Sequence, residues 1–251
     1  MTLESAAAEV SARIGLMEQA APGQYKYLVT AGPTIEDLDP IRFFSNRSTG
    51  LTGISLAESA VGMGHQVLLI LGPTQAEPDT RVPVVHVRSA REMEAACVAA
   101  LDWCDVVLMC AAVADYRPET VYEEKLHKTA DELVIKLVRN PDILLTLRDH
   151  ATDQVLVGFS LDTTVNIDVA REKMRRKGLD LIVANSKHSL GTIGTDAVII
   201  DRNGNTTPAG GTKEQLAEIL VSRTSQLARQ VRKGRSASMR FHTRLEIQPE
   251  E

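Results

Sequence analysis

Cysteine is scarce in this chain of 251 residues: Cys97, Cys104 and Cys110 are the whole supply. They have neither the paired spacing of a zinc site nor the density of a secreted disulfide framework, so a reducing cytoplasm is the expected location. No hydrophobic run is long enough to cross a membrane. The N-terminal MTLESAAAEVSARIGLMEQA is amphipathic and carries acidic residues, unlike a signal peptide. A strong charge bias is missing too: the formal net charge is -5, which gives no reason to expect a nucleic-acid partner. Two phosphate fingerprints are absent as well. A dinucleotide site needs Gly-x-Gly-x-x-Gly between the first strand and its helix, and a carboxylate closing the second strand. Here the glycine that follows Gly32 is Gly50, the second strand runs VLLILGP, and no Walker-type Gly-Lys-Ser/Thr occurs. A short-chain reductase is disfavoured further because Thr120, not lysine, stands four residues after Tyr116.

What is present is an alternation of short Val/Ile/Leu runs with segments of helical period. Strands are expected near Tyr25 to Thr30, Gln66 to Leu71, Val82 to Val87, Asp105 to Cys110, Gln154 to Phe159 and Asp180 to Ala184. Helices are expected near Gly50 to Met63, Ala90 to Trp103, Pro141 to His150 and Thr163 to Gly178. Strands so uniformly apolar are covered on both faces, and right-handed crossovers wind such a sheet in two directions. The fold class is therefore α/β, a doubly wound, Rossmann-like, mostly parallel sheet. Residues 1–22 form an N-terminal helix, 23–230 one domain and 231–251 a disordered tail. Two features interrupt the alternation. Asp131 to Val138 alternates like an extra strand, making 112–138 a flap excursion. Asp196 to Asp201 with Arg202-Asn203-Gly204-Asn205 signals a hairpin before a last helix from about Thr212 to Arg229.

Ligands of such sheets bind in loops beyond the carboxyl ends of the strands. The first such loop ends in Ser48-Thr49-Gly50 at a helix start, which suits either a bound phosphate or plain helix capping. After the fourth strand, Ala111 and Ala112 leave room for a sugar or ring at the backbone, or simply pack closely, and Asp115 can bond ribose hydroxyls or a base edge. Lys125, His127 and Lys128 put cations on the flap, where they could offset phosphate charge or merely be solvated. Asn140-Pro141-Asp142-Ile143 reads as a helix start explained by capping alone. Lys173 and Lys177 lie four apart on one helix face, as a phosphate-reaching pair or a solvated basic stripe.

The order of these pieces resembles the phosphopantothenate–cysteine ligase family. The matching motifs are TAGPT…DP.R (Thr30 to Arg42), SNRSTG..G (Ser45 to Gly53), AAVADYRP (Ala111 to Pro118), EKLHK (Glu124 to Lys128), NPDIL (Asn140 to Leu144), VGF (Val157 to Phe159) and LD.I.AN (Leu179 to Asn185). The resemblance spans about Tyr25 to Lys213 and implies a stand-alone ligase without the decarboxylase to which bacterial members are often fused. It implies that 4′-phosphopantothenate is activated by a nucleoside triphosphate, CTP ahead of ATP, and joined to cysteine through an acyl-nucleotide, with Mg2+ carried by the triphosphate. Asn46 and Lys125 would be catalytic, Asn46 at the pantothenate carbonyl or the acyl intermediate and Lys125 on developing charge. Gly32, Ser48, Ala111, Ala112, Asp115, Asn140, Pro141, Asp142, Ile143, Phe159, Lys173 and Lys177 would contact nucleotide, with Lys125 beside them and His127 and Lys128 supporting the flap. No metal ligands from the protein and a homodimer are also implied. Two departures stand out: His127 replaces a lysine of the family's Lys-x-Lys-Lys, and Ser160-Leu161-Asp162-Thr163 replaces its Ala-Ala/Glu-Glu-Thr. A non-catalytic, nucleotide-binding homologue is the alternative.

Overall fold

The computed structural model describes residues 2–127 and 131–245. Eight strands form the central sheet: β1 Lys26–Ala31, β2 Gln66–Leu71, β3 Val84–His86, β4 Val106–Met109, β5 Val155–Asp162, β6 Leu181–Ser186, β7 Val198–Asp201 and β8 Thr206–Pro208. Six helices accompany them: α1 Leu3–Gly15, α2 Leu51–Gly62, α3 Ala90–Leu101, α4 Ile143–His150, α5 Ile167–Arg176 and α6 Lys213–Leu245. The strand order is β8-β7-β6-β5-β4-β1-β2-β3. β1 to β6 pair in parallel, whereas β7 and β8 return antiparallel as the expected hairpin.

Alternation along each strand divides the core into two layers. On β1, Tyr27, Val29 and Ala31 face one layer with Ile54, Leu56 and Ala57 of α2 and Leu216, Leu220 and Val221 of α6. Leu28 faces the other, with Val10 of α1, Met93 and Cys97 of α3, Leu147 of α4 and Met174 of α5. Each fully buried Leu or Val contributes roughly 1.5–3 kcal/mol, more than an exposed ion pair, so this apolar pattern decides which helix covers which face. A polar clamp fixes α6: the Tyr27 hydroxyl lies 3.0 Å from Thr224 Oγ1 and 2.9 Å from Ser225 Oγ, and is within donating distance of the Val221 carbonyl oxygen at 3.1 Å.

Two expectations are corrected. The stretch 131–138 is not a strand along its length; only Leu137–Arg139 pairs, antiparallel to Tyr116–Pro118. Leu133 and Val134 remain 59% and 89% exposed, so the alternation has no covered face to serve. The last helix, expected to end near Arg229, continues as α6 to Leu245, and residues 246–251 lie outside the described residues. Between Arg229 and Leu245 no proline interrupts the helix and Gly234 is the only glycine, so local propensity lets it run on.

Candidate active site

The sheet reverses direction between β1 and β4, and the loops leaving these two strands are stitched together. Gly32 follows β1 with φ +78°, and a Cβ there would meet the Gly72 carbonyl oxygen at 2.8 Å, so a side chain is excluded. The buried Thr30 hydroxyl accepts from the backbone N–H groups of Cys110 and Ala111, each at 3.1 Å. Ala112 N–H donates to Gly32 O at 2.8 Å and Ala114 N–H to Thr34 Oγ1 at 2.9 Å. Asn46 Nδ2 donates to the carbonyls of Ala112 and Val113, both at 3.1 Å, which holds its amide at the rim between the loops. Asn140 Nδ2 donates to Ala114 O at 2.9 Å, drawing the α4 approach onto the same loop. Below it, Glu36 accepts from Ala90 N–H at 2.9 Å, and burial pushes its carboxyl up from the usual range.

These loops enclose a cavity of about 910 Å³, the scale of a nucleotide-sized ligand. The N-terminal turn of α2 opens into it through Leu51, Thr52 and Gly53. Neither Ser48 nor Thr49 caps this helix: Gly50 holds the cap position with φ 76° and no side chain accepts from the first turn. Ser48 Oγ instead accepts from Gly50 N–H at 3.3 Å. Uncapped N–H groups with the positive end of a helix dipole form a site suited to an anion.

Charge in the cavity points the same way. Arg47, Arg139, Lys173, Arg176, Lys177 and Lys213 line it against Asp115 and Asp142. The capping explanation of Asp142 fails, because its side chain makes no cap bond to α4 and accepts from Lys177 Nζ at 2.7 Å. Nor are Lys173 and Lys177 a solvated stripe. Lys177 is buried, and Lys173 Nζ donates to the Phe159 carbonyl at 2.6 Å. Burial, then the neighbouring Lys177 charge, brings the Lys173 ammonium down to about 8.

The structure thus brings Gly32, Asn46, Ser48, Ala111, Ala112, Asp115, Asn140, Pro141, Asp142, Ile143, Phe159, Lys173 and Lys177 around one cavity. It does not bring Lys125 or His127 there; both are exposed and neither lines it. Their segment is tied to the first loop, with Leu126 N–H donating to Asp39 Oδ2 at 3.1 Å and Arg42 donating to Leu126 O at 2.7 Å. Hydrogen bonding from Arg42 holds the Asp39 carboxyl well below the usual carboxylate range. Lys128 lies outside the described residues. Asn185, Arg139, Arg176 and Lys213 line the cavity without having been singled out. The position of Asn185 near the carboxyl end of β6 was a signal for it under the strand-end rule; Lys213, the first residue of α6, offered none.

Known proteins share this fold. The coenzyme A biosynthesis bifunctional protein CoaBC of Bacillus subtilis (strain 168) is 42% identical over 186 residues, 73% of this chain and 46% of that protein. The chain therefore spans about half the length of such relatives. A crystal structure of the C-terminal domain of coenzyme A biosynthesis bifunctional protein CoaBC superposes with a TM-score of 0.72 at 33% identity, covering 84% of this chain and 100% of that one. A Cab2 mutant in complex with phosphopantothenate-cysteine shares the fold, with a TM-score of 0.75 at 14% identity over 93% of this chain and 94% of that one. The model of the DNA/pantothenate metabolism flavoprotein C-terminal domain matches residues 23–227, and the chain belongs to that family.

Proposed function

We propose that this chain is a phosphopantothenate–cysteine ligase acting in coenzyme A biosynthesis. The observation that carries the reading is the basic cavity at the sheet's switch point, with the uncapped N-terminus of α2 opening into it. A carboxylate oxygen of 4′-phosphopantothenate bonds to the α-phosphorus of CTP, the α–β bridging bond breaks, and pyrophosphate leaves. The cysteine amine then bonds to the acyl carbon, the acyl–phosphate bond breaks, CMP leaves, and the amine proton passes to solvent.

In this reading the first turn of α2 and Ser48 receive phosphate oxygens, with Lys173 and Lys177 offsetting their charge. Gly32, Ala111 and Ala112 give the nucleotide close access to the backbone, Asp115 bonds ribose hydroxyls, and Phe159 with Asn140, Pro141, Asp142 and Ile143 frames the base. Asn46, braced by its two carbonyl partners, meets the pantothenate carbonyl. Lys125 acts once its segment closes over the cavity, supported by His127 and Lys128. Mg2+ bound with the triphosphate would supply neutralisation of phosphate charge. The cavity's carboxylates, Asp115 and the Lys177-paired Asp142, fit an ion held mainly by phosphate and water. A homodimer in the cytoplasm completes the proposal. Ile41, Phe43, Val121 and Tyr122 expose apolar side chains on and beside the antiparallel pair of Ile35–Asp37 with Phe43–Ser45, which leads into the cavity-lining Asn46, a surface suited to a second copy. Among the described residues no helix is long and apolar enough to cross a membrane.

The test is product analysis after incubation with 4′-phosphopantothenate, cysteine, Mg2+ and either CTP or ATP, with Lys125→Gln alongside. Phosphopantothenoylcysteine and pyrophosphate are expected with CTP and lost in the variant. Nucleotide binding without product from either nucleotide would move the chain to the non-catalytic homologue.

A further inference from the structure

Two polar side chains that line the cavity, Lys213 and Asn185, lack a counter-ion or a hydrogen-bond partner among the described residues. Lys213 opens α6 and lines the cavity, yet is only 3% exposed. Among the described residues it forms no ion pair; the charged or titratable groups it senses are Glu214 and the Cys110 thiol. Burial lowers its pKa accordingly. A buried ammonium without a counter-ion is unfavourable until an anion joins it.

Asn185, on β6, lines the same cavity, and its Oδ1 is buried with no hydrogen-bond partner. The backbone around both residues is braced. Ser186 Oγ donates to Asp196 at 2.6 Å and Ser189 Oγ to the same carboxylate at 3.1 Å. Lys213 N–H donates to Ile193 O at 3.1 Å, tying the start of α6 to that loop.

The chemistry of the pair distinguishes possible occupants. A phosphate would satisfy Lys213 but leave the Asn185 carbonyl without a donor, since both are acceptors. A group carrying a carboxylate and an amine on one carbon satisfies both. We infer that Lys213 and Asn185 form the subsite for the α-amino acid co-substrate, Lys213 pairing with its carboxylate and Asn185 Oδ1 accepting from its amine. The inference rests on the ligase reading, which needs an amino acid in the cavity alongside the acyl-nucleotide.

The test compares L-cysteine with cysteamine, which lacks the carboxylate, in wild type, Lys213→Met and Asn185→Ala. Wild type should prefer cysteine by at least tenfold in kcat/KM. Lys213→Met should abolish that preference through a raised KM for cysteine, with the KM for CTP unchanged within twofold. Asn185→Ala should raise the KM for both amines, because the amine contact is common to them. A preference that survives in Lys213→Met, or a variant defect that falls on the KM for CTP, overturns the subsite. Product formation by wild type decides the ligase reading separately. If no product forms, calorimetric titration of the two amines into wild type and Lys213→Met decides the subsite: a tenfold cysteine preference lost in the variant upholds it, and equal binding overturns it.

Discussion

Lys173 connects nucleotide binding to pH in a way that can be worked through from its surroundings. In the ligand-free protein its ammonium has been brought down to about 8, chiefly by burial and next by Lys177. A phosphate oxygen beside Nζ would favour the charged form and return the pKa toward the ordinary lysine value of about 10.4. Below pH 8 both states hold the proton and affinity is flat. Above it the free protein has released the proton, binding must recover it, and the Kd for CTP rises about tenfold per pH unit. At pH 9 binding should be roughly tenfold weaker than at pH 7, about 1.4 kcal/mol. Calorimetry in buffers of different ionisation enthalpy would show proton uptake at pH 9 and none at pH 7. Lys173→Met isolates the Lys173 contribution to this slope. That variant should bind CTP more weakly at pH 7 and lose affinity less steeply above pH 8. The folded protein has the opposite interest. A lysine lowered on folding destabilises it while charged, so stability rises as pH climbs from about 8 to 10.5, and Lys173→Met should stabilise the free protein at pH 7 by ~1–3 kcal/mol. Wild-type affinity that falls no more than twofold from pH 7 to 9, or a variant slope as steep as wild type, would refute the reasoning.

Three other perturbations probe the frame around the cavity. Thr30→Val keeps shape but strips the Cys110 and Ala111 N–H groups of their acceptor; urea denaturation should show a loss of about 1–3 kcal/mol, and an unchanged midpoint would remove Thr30 as the brace. Phe43→Asp puts charge on a residue that is 52% exposed in the single chain; sedimentation should give a dimer for wild type and a folded monomer for the variant, whereas a wild-type monomer would defeat the proposed interface. Asp39→Asn weakens the tether from the first loop to the Lys125 segment; hydrogen exchange at Leu126 N–H should become faster, and undiminished protection would show that the segment is held otherwise.

What could be read along the chain follows the range of the interactions involved. The expected Gln66 to Leu71 strand coincides with β2, and the other five parallel strands fall within a few residues, because apolar runs bounded by polar turns carry their own signal. The errors arise where a local pattern depends on a distant partner or its absence. The alternation of 131–138 met no covered surface. Ser48 and Asp142 looked like caps, yet Gly50 took one cap position and Lys177 drew the Asp142 carboxylate away from the other. Asn185 and Lys213 show the same dependence most clearly. Asn185 closes the LD.I.AN motif near the end of β6 but nothing local tells what it faces, and nothing in the residues around Lys213, which begins α6, marks it. Sheet order places β4, β5 and β6 side by side, while α6 packs on α2, so Cys110, Phe159, Asn185 and Lys213 converge on one cavity from four distant parts of the chain. The part of the cavity proposed to receive phosphate is built largely from contiguous loops and helix starts, so motif reading reaches it. The opposing chemistry, a buried ammonium and an unpaired carbonyl, exists only after folding, and the amine test falls on residues that motif reading alone did not single out.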